Sequence, residues 1–411
     1  MKHHLVVLAL VAGIVVAPAS AADALTRDAA IKLALQANPA LSAAAHEVAA
    51  QGGAITQARA LPNPELEILR EGQDRTNRTT TAQLGIPFEL GGKRAARLDA
   101  ARREQDLAIA ALDALRAQVR ADAIAAFHEA VAASEQHRLA QELAALAQRA
   151  ASAAALRVEA GKAAPLEASR AGVAQANARI ETLQAARDLA SARIRLAALW
   201  GGKAADINIA ATSPAHMSAD LPDAPPLAQL EARLAQSPAI GRVHAEVAHR
   251  QALARVEGTK RTPDVTLIVG TRREYPDDRR QAVLGLAIPL PLFNRNEGAL
   301  LASLRRVDKA RDELEAERLR LHAELAQAHA RLTAALEEAA MIDAEIAPAA
   351  QAAFQAAGRG YELGKFGMLD VLDAQRAFFQ SRHQYLKAVA ESHRAASDIE
   401  RLVGPSTQEN P

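Results

Sequence analysis

The sequence predicts a mainly α-helical chain with a small β component, written twice along its length. Three observations carry this. Asn38-Pro39-Ala40-Leu41 followed by Pro62-Asn63-Pro64-Glu65-Leu66-Glu67-Ile68 is echoed about 200 residues on by Ser237-Pro238-Ala239-Ile240 and Arg261-Thr262-Pro263-Asp264-Val265-Thr266-Leu267. Within each copy the hydrophobic period switches from helical to strand-like and back. Between about Lys93 and Ala160 there is neither proline nor glycine, so nothing breaks a very long helix.

In chain order, residues 25 to about 58 keep a helical pattern, with Thr26 and Asp28 as N-cap candidates and an interruption at Asn38-Pro39. The first hairpin, about 64–87, alternates: Leu66 and Ile68 share one face, and Ala82, Leu84 and Ile86 share another strand's face. Gly72 to Asn77 is its polar turn. The long helix, about 93–160, places Leu112, Leu115, Val119, Ile124, Phe127 and Val131 at three-four spacing. A glycine turn at Gly161 leads into a return helix, about 166–200. In the second copy the hairpin is about 264–289, with a turn at Pro276-Asp277-Asp278. The long helix, about 298–358, carries Leu314, Leu321, Leu325 and Leu332 at heptad-like intervals. Pro348 within it predicts a kink. A turn over Gly358–Gly367 precedes a return helix, about 368–402. The domain organisation is therefore a first repeat over 22–212, a linker over 213–226, a second repeat over 227–404, and a tail over 405–411.

Residues 1–21 read as a signal peptide. Lys2 supplies the charge, Leu5 to Val16 the apolar stretch, and Ala19-Ser20-Ala21 the small-residue cleavage site. The absence of cysteine excludes a disulfide framework and a lipid-attachment cysteine. Aromatic residues are 3% of the chain, and alanine is abundant, which suits closely packed helices rather than a bulky core. A net charge of +1 argues against a nucleic-acid partner. No later stretch is long and apolar enough for a transmembrane helix, so any crossing of a bilayer must be by strands. Four strands cannot close a barrel, and an open sheet edge cannot sit in lipid, so closure requires several copies of the chain.

Gly360-Tyr361-Glu362-Leu363-Gly364 followed by Leu369-Asp370-Val371-Leu372-Asp373-Ala374 resembles the tip motif of the outer-membrane efflux protein (TolC) family. The first copy keeps it less well, as Val158-Glu159-Ala160-Gly161-Lys162 and Leu166-Glu167. The resemblance covers about 25–404. It implies a homotrimer whose chains each give four strands to a twelve-stranded transmembrane β-barrel in outer-membrane lipid. A coiled-coil α-helical barrel would run on through the periplasm towards a periplasmic adaptor and an inner-membrane, proton-driven efflux pump. Phe88-Glu89-Leu90-Gly91-Gly92-Lys93-Arg94 and Ile288-Pro289-Leu290-Pro291-Leu292-Phe293-Asn294 further resemble the strand-to-helix junctions of the CzcC-like branch, which serves cobalt, zinc and cadmium export.

That resemblance implies the candidate site residues. Asp370 and Asp373, three apart on one helix face, would ring the channel at its tip and favour multivalent cations. The bland alternative is a solvated helix N-terminus, where aspartate suits the macrodipole. Glu167 and Tyr361 match positions that hold the tip closed. Glu167 stands where aspartate is usual, and Phe366 where some members carry arginine. Gly161, Gly364 and Gly367 form the tip turns, and Gly91, Gly92, Pro289 and Pro291 the membrane-boundary junctions. Gly91-Gly92-Lys93 is not a phosphate loop, because Pro87 and Arg94 occupy positions that need glycine and Ser or Thr. His322 and His329, His244 and His249, and His128 and His137 lack the i, i+4 spacing of a helical zinc pair, so no metal site and no cofactor are expected. No nucleophile–base constellation points to an enzyme. Three functions remain open: an outer-membrane exit duct for heavy-metal cations, a duct for drugs or secreted proteins, and a periplasmic coiled-coil adaptor.

Overall fold

A computed structural model describes residues 24–74, 77–209, 221–275 and 277–404. The signal-peptide residues, most of the 213–226 linker, Pro276 and the tail lie outside the described residues. The chain opens with α1 (Arg27–Ala37) and α2 (Pro39–Arg59), then strands β1 (Glu65–Glu71) and β2 (Thr79–Phe88). Helices α3 (Lys93–Glu159) and α4 (Pro165–Ala198) follow. The second half repeats the order with α5 (Leu227–Leu234), α6 (Pro238–Thr259), β3 (Val265–Glu274), β4 (Arg279–Ala287), α7 (Glu297–Met341), α8 (Ala347–Glu362) and α9 (Met368–Val403).

Caps explain where the shorter helices begin. Thr26 Oγ1 accepts from the Ala29 N–H at 3.2 Å. Asn38 stops α1 and starts α2: its Oδ1 accepts from Ala40 N at 2.9 Å, and its Nδ2 donates to Leu199 O at 2.8 Å. Pro39 then sits at the first turn, where a missing N–H costs nothing. Ser237 and Pro238 repeat the arrangement at the start of α6, with Ile240 N donating to Ser237 Oγ at 3.3 Å. Helix α3, 67 residues at 1.5 Å each, is about 100 Å long.

The core lies at the helical equator. Leu321, Leu325 and Leu332 of α7 pack with Leu230 and Leu234 of α5 and with Ile399 and Leu402 of α9. In the first half, Ala130 and Val131 of α3 meet Leu189 and Leu196 of α4, while Ile31, Leu41 and Leu112 join α1, α2 and α3. Trp200 packs against both first-half clusters, as its place before Gly201-Gly202 suggests. Small residues such as Ala123, Ala130 and Ala192 let these axes approach closely.

Two elements differ from the sequence reading. The second long helix does not end at Gly358. After a turn of π-helix over Ile342–Ile346 it continues as α8 to Glu362, so Gly358 and Gly360 are helical. Pro348 sits in the first turn of α8. Its missing N–H would orphan the carbonyl of Ala344, and the wider π turn takes up the defect. Helix α5, one short amphipathic segment, was not marked by the patterning at all. Its apolar face, Leu227, Leu230 and Leu234, spans barely two turns, too short a stretch for a sustained periodic signal.

The four strands form one antiparallel sheet in the order β1-β2-β3-β4, so β2 and β3 join the two halves and β1 and β4 are left as edges. The register sorts side chains onto two faces. Leu66, Leu84, Val269 and Leu284 form one row across all four strands. Ile86, Leu267 and Leu286 lie on one side of it, and Ile68, Ala82, Thr271 and Ala282 on the other. The opposite face is mainly polar, with Glu65, Glu67, Thr81, Gln83, Arg272, Gln281 and Glu274, and it also holds Leu69, Ile268 and Val283 among Gly85, Gly270 and Gly285. An apolar outside and a polar inside are what a transmembrane barrel strand requires. Among the described residues no helix is long and apolar enough to cross a membrane.

Candidate functional site

The strand-to-helix junctions fix the sheet to the helices. Gly91 has φ +70°, and a Cβ there would lie 2.7 Å from the Thr262 side chain, so the first junction presses directly on the second repeat. Gly92, also left-handed, is the N-cap of α3. Asp264 ties the two halves: it accepts from Leu90 N at 3.0 Å and pairs with Lys93 Nζ at 2.7 Å. Burial pushes the Asp264 carboxyl up, but Lys93, the Leu90 N–H and Arg97 together outweigh it and hold the carboxyl below its usual range. In the second copy Asn296, φ +58°, takes the place of Gly92 and donates from Nδ2 to Glu257 O at 2.9 Å. Pro289 and Pro291 lie in the exposed stretch between β4 and α7, where Phe293 is fully exposed beside Leu290 and Leu292. Phe88 and Phe293 therefore flank the sheet at its helix-facing end.

The other end of the helices is the tip. Both turns there are built alike. Gly161 N donates to Val158 O at 2.9 Å and Lys162 N to Arg157 O at 2.8 Å; Gly364 N donates to Tyr361 O at 3.0 Å and Lys365 N to Gly360 O at 2.7 Å. These are paired Schellman turns with glycine at the left-handed position, φ +68° and +72°. They preserve, in backbone geometry, the repeat that the sequence keeps only loosely here.

Asp370 is engaged in helix capping: its Oδ2 accepts from the Gly367 N–H at 2.9 Å, closing the first turn of α9. Gly367 thus acts as the N-cap of α9. Asp373 is exposed, with Arg376 Nη1 3.8 Å away. Tyr361 packs into a small tip core with Ala154, Ala171, Met368 and Leu372, and the Arg157 guanidinium lies 4.5 Å above its ring. Tyr361 Oη and Glu167 Oε2 are both buried without a hydrogen-bond partner among the described residues. Phe366 folds back over Gly360, where any Cβ would collide with its ring. Arg157 and Gly360 were not singled out from sequence. The cation–π contact joins residues about 200 apart in the chain, which no local pattern brings together.

Between α4 and α9, over α3, runs a groove of about 1020 Å³ lined by Arg170, Glu181, Asp188, Asp373, Arg376 and His383 among others. Helix α4 also exposes Leu166, Val173, Ile180 and Ile194 at seven-residue steps or multiples of them. Nearer the equator, Glu129 of α3 receives Arg195 of α4 at 2.8 Å and Arg394 of α9 at 3.6 Å, linking the repeats.

His128 of α3 stacks on His393 of α9 with ring centroids 3.6 Å apart, a pairing absent from the sequence-level list of histidine spacings. Burial first, then His393 and Arg27, push the His128 pKa down to about 3. A depressed folded-state pKa means stability is complete above the unfolded value and falls as pH drops through about 6.5 towards 3. By pH 4 the loss is on the order of 3 kcal/mol. The urea midpoint of the protein should fall steadily from pH 7 to pH 4, and His128→Phe, which keeps an aromatic in the stack, should flatten that slope. An unchanged slope in the variant would contradict the assignment.

A two-faced strand sheet on the end of helices about 100 Å long defines one protomer of an outer-membrane channel with a periplasmic helical barrel. The Outer membrane efflux protein family model matches residues 30–202 and 230–405, and the chain belongs to that family. It is 43% identical over 387 residues to the cobalt-zinc-cadmium resistance protein CzcC of Cupriavidus metallidurans, covering 94% of this chain and 92% of that one. It is 30% identical over 289 residues to the nickel and cobalt resistance protein CnrC of the same organism, covering 68% and 67%. The solved outer-membrane channel OprN superposes with a TM-score of 0.77 over 92% of this chain and 90% of that chain at 19% identity, a likeness of fold. Family membership sets aside the periplasmic adaptor among the functions left open by the sequence. The protein is an outer-membrane efflux channel that extends into the periplasm.

Proposed function

We propose that this chain is the passive exit duct for divalent heavy-metal cations of the cobalt, zinc and cadmium type. An inner-membrane, proton-driven pump of the resistance-nodulation-division class and a periplasmic adaptor hand the cations over. The observation that carries the reading is the 43% identity to CzcC across nearly the whole of both chains. A homotrimer is supported by the two unpaired sheet edges, β1 and β4, and by the exposed apolar seam of α4, which both need a neighbouring copy. Two repeats meeting through a linker at about 213–226 account for the internal doubling.

At the tip, Asp370 and Asp373 act as an acidic collar that gathers multivalent cations, with Glu167 and Tyr361 bracing the turns that carry it. Because Asp370 also caps α9, the informative variant is Asp370→Asn with Asp373→Asn, which can retain the cap while removing charge. In planar bilayers this double variant should lose block by divalent cations about tenfold, as expected when a ring of carboxylates is neutralised. Unchanged block would remove the collar from the proposal.

The function itself is tested in a strain lacking the gene, with cellular metal read by mass spectrometry. Selective sensitivity to zinc, cobalt or cadmium with metal accumulation, reversed by the intact gene, is the expected outcome. Sensitivity to dyes and antibiotics with normal metal content would move the duct to multidrug efflux.

A further inference from the structure

The apolar face of the sheet ends abruptly in arginine. One step beyond Ile68, Ala82, Thr271 and Ala282, the next row on the same face is Arg70, Thr80, Arg273 and Arg280. The face continues for one more step through Arg78 and Tyr275, joined by Tyr275 N–H to Arg78 O at 2.9 Å. The Tyr275 ring has two guanidiniums near it, that of Arg273 at 4.8 Å and that of Arg78 at 5.7 Å from its centroid. Asp278, paired with Arg273, is the acidic side chain beside them. Arg70, Arg78, Arg273 and Arg280 thus share the lipid side of the sheet at the end far from the helices, and among the described residues the acidic side chain paired to one of them is Asp278, on Arg273.

The height of this row matters. From the Phe88 row to the Thr80 row is eight residues, about 27 Å along the strand and about 20 Å along the membrane normal at the usual tilt. The arginines therefore stand at the outer edge of the apolar band, where a lipid-facing charge costs little and meets headgroups. Tyrosine beside them is the residue type that settles at that boundary. Guanidinium is the side chain best matched to phosphate, through paired N–H donors.

We infer that Arg70, Arg273 and Arg280, with Arg78 and Tyr275 above them, form a binding surface for the phosphate groups of an outer-leaflet phosphorylated glycolipid. Closing the barrel from several copies carries the basic row round its circumference. The surface would hold the barrel at a fixed depth and seal it into an anionic leaflet.

The test uses the full-length assembled protein in detergent micelles, with diphosphoryl lipid A and its fully dephosphorylated form as probes, read by native mass spectrometry. The unmodified protein should retain the phosphorylated lipid about tenfold more than the dephosphorylated one. Arg70→Gln/Arg273→Gln/Arg280→Gln should abolish the difference. Equal retention of the two lipids by the unmodified protein overturns the inference, and that comparison decides even if the variant does not assemble. Displacement of the lipid by millimolar inorganic phosphate alone would also overturn it, by showing a free-anion site. Preference for phosphorylated lipid that persists undiminished in an assembled triple variant would place the binding elsewhere.

Discussion

Leu84→Arg should leave little assembled channel. Leu84 lies in the row that crosses all four strands, between Leu66 and Val269, in the middle of the apolar face. An arginine in mid-bilayer costs about 2–4 kcal/mol per copy. Channels of this family are trimers, so the cost is met three times in one barrel. The neighbouring Gln83→Lys provides the contrast. Gln83 is on the polar face, where it already bonds Glu67, and a lysine there keeps a carboxylate partner. Heat-modifiable migration of outer-membrane extracts should show the oligomer band lost for Leu84→Arg and retained for Gln83→Lys. The reverse pattern would mean that the two faces are assigned the wrong way round.

Leu325→Ala should be the most damaging single truncation in the helical half. Leu325 has no solvent exposure, and its cluster joins α5, α6, α7 and α9, so four elements of the second repeat share the packing that the truncation disturbs. Those helices are held by distant neighbours and cannot easily collapse onto the hole. A loss of about 3 kcal/mol is expected, within the range for a leucine cavity. Thermal or urea unfolding of the purified protein checks it. Leu325→Met, which keeps the volume, should cost about 1 kcal/mol or less. Equal effects of the two substitutions would show that packing at this site is not what limits stability.

The parts of the fold that were legible in the sequence are those set by a local period. The alternation of Leu66 and Ile68, and of Ala82, Leu84 and Ile86, marks the hairpin and correctly groups the apolar face, because side chains along a strand alternate sides by geometry. The unbroken run after Lys93 marks α3, and the heptad-like leucines of α7 are all buried. Pro348 signals the disturbance in the second long helix, although its place, a π turn just before the proline, is a matter of hydrogen-bond rearrangement that no pattern encodes.

What was not legible depends on which distant segments meet. His128 sits on α3 and His393 on α9, and only the packing of those helices stacks them. The β2–β3 pairing and the Asp264 link from one junction to the other are likewise products of bringing two repeats together. At the tip, the motif residues fall on the glycine turns at Gly161 and Gly364. The motif did not reveal that Asp370 closes a helix cap, that Arg157 covers Tyr361, or that Gly360 is open so that Phe366 can lie over it. The basic row above the apolar band escaped notice for the same reason. Arg70, Arg273 and Arg280 are scattered in sequence and become one surface only through the sheet register.

Side-chain accessibility along β2 measures most directly whether this chain builds a two-faced barrel wall. The protein has no cysteine, so single cysteines at Thr81, Ala82, Gln83 and Leu84 can be labelled without background. In outer-membrane vesicles, a charged, membrane-impermeant maleimide should react with the cysteines at 81 and 83. A lipid-soluble reagent should react with those at 82 and 84. Uniform labelling of all four positions by the charged reagent would contradict a membrane-spanning strand and, with it, the outer-membrane duct.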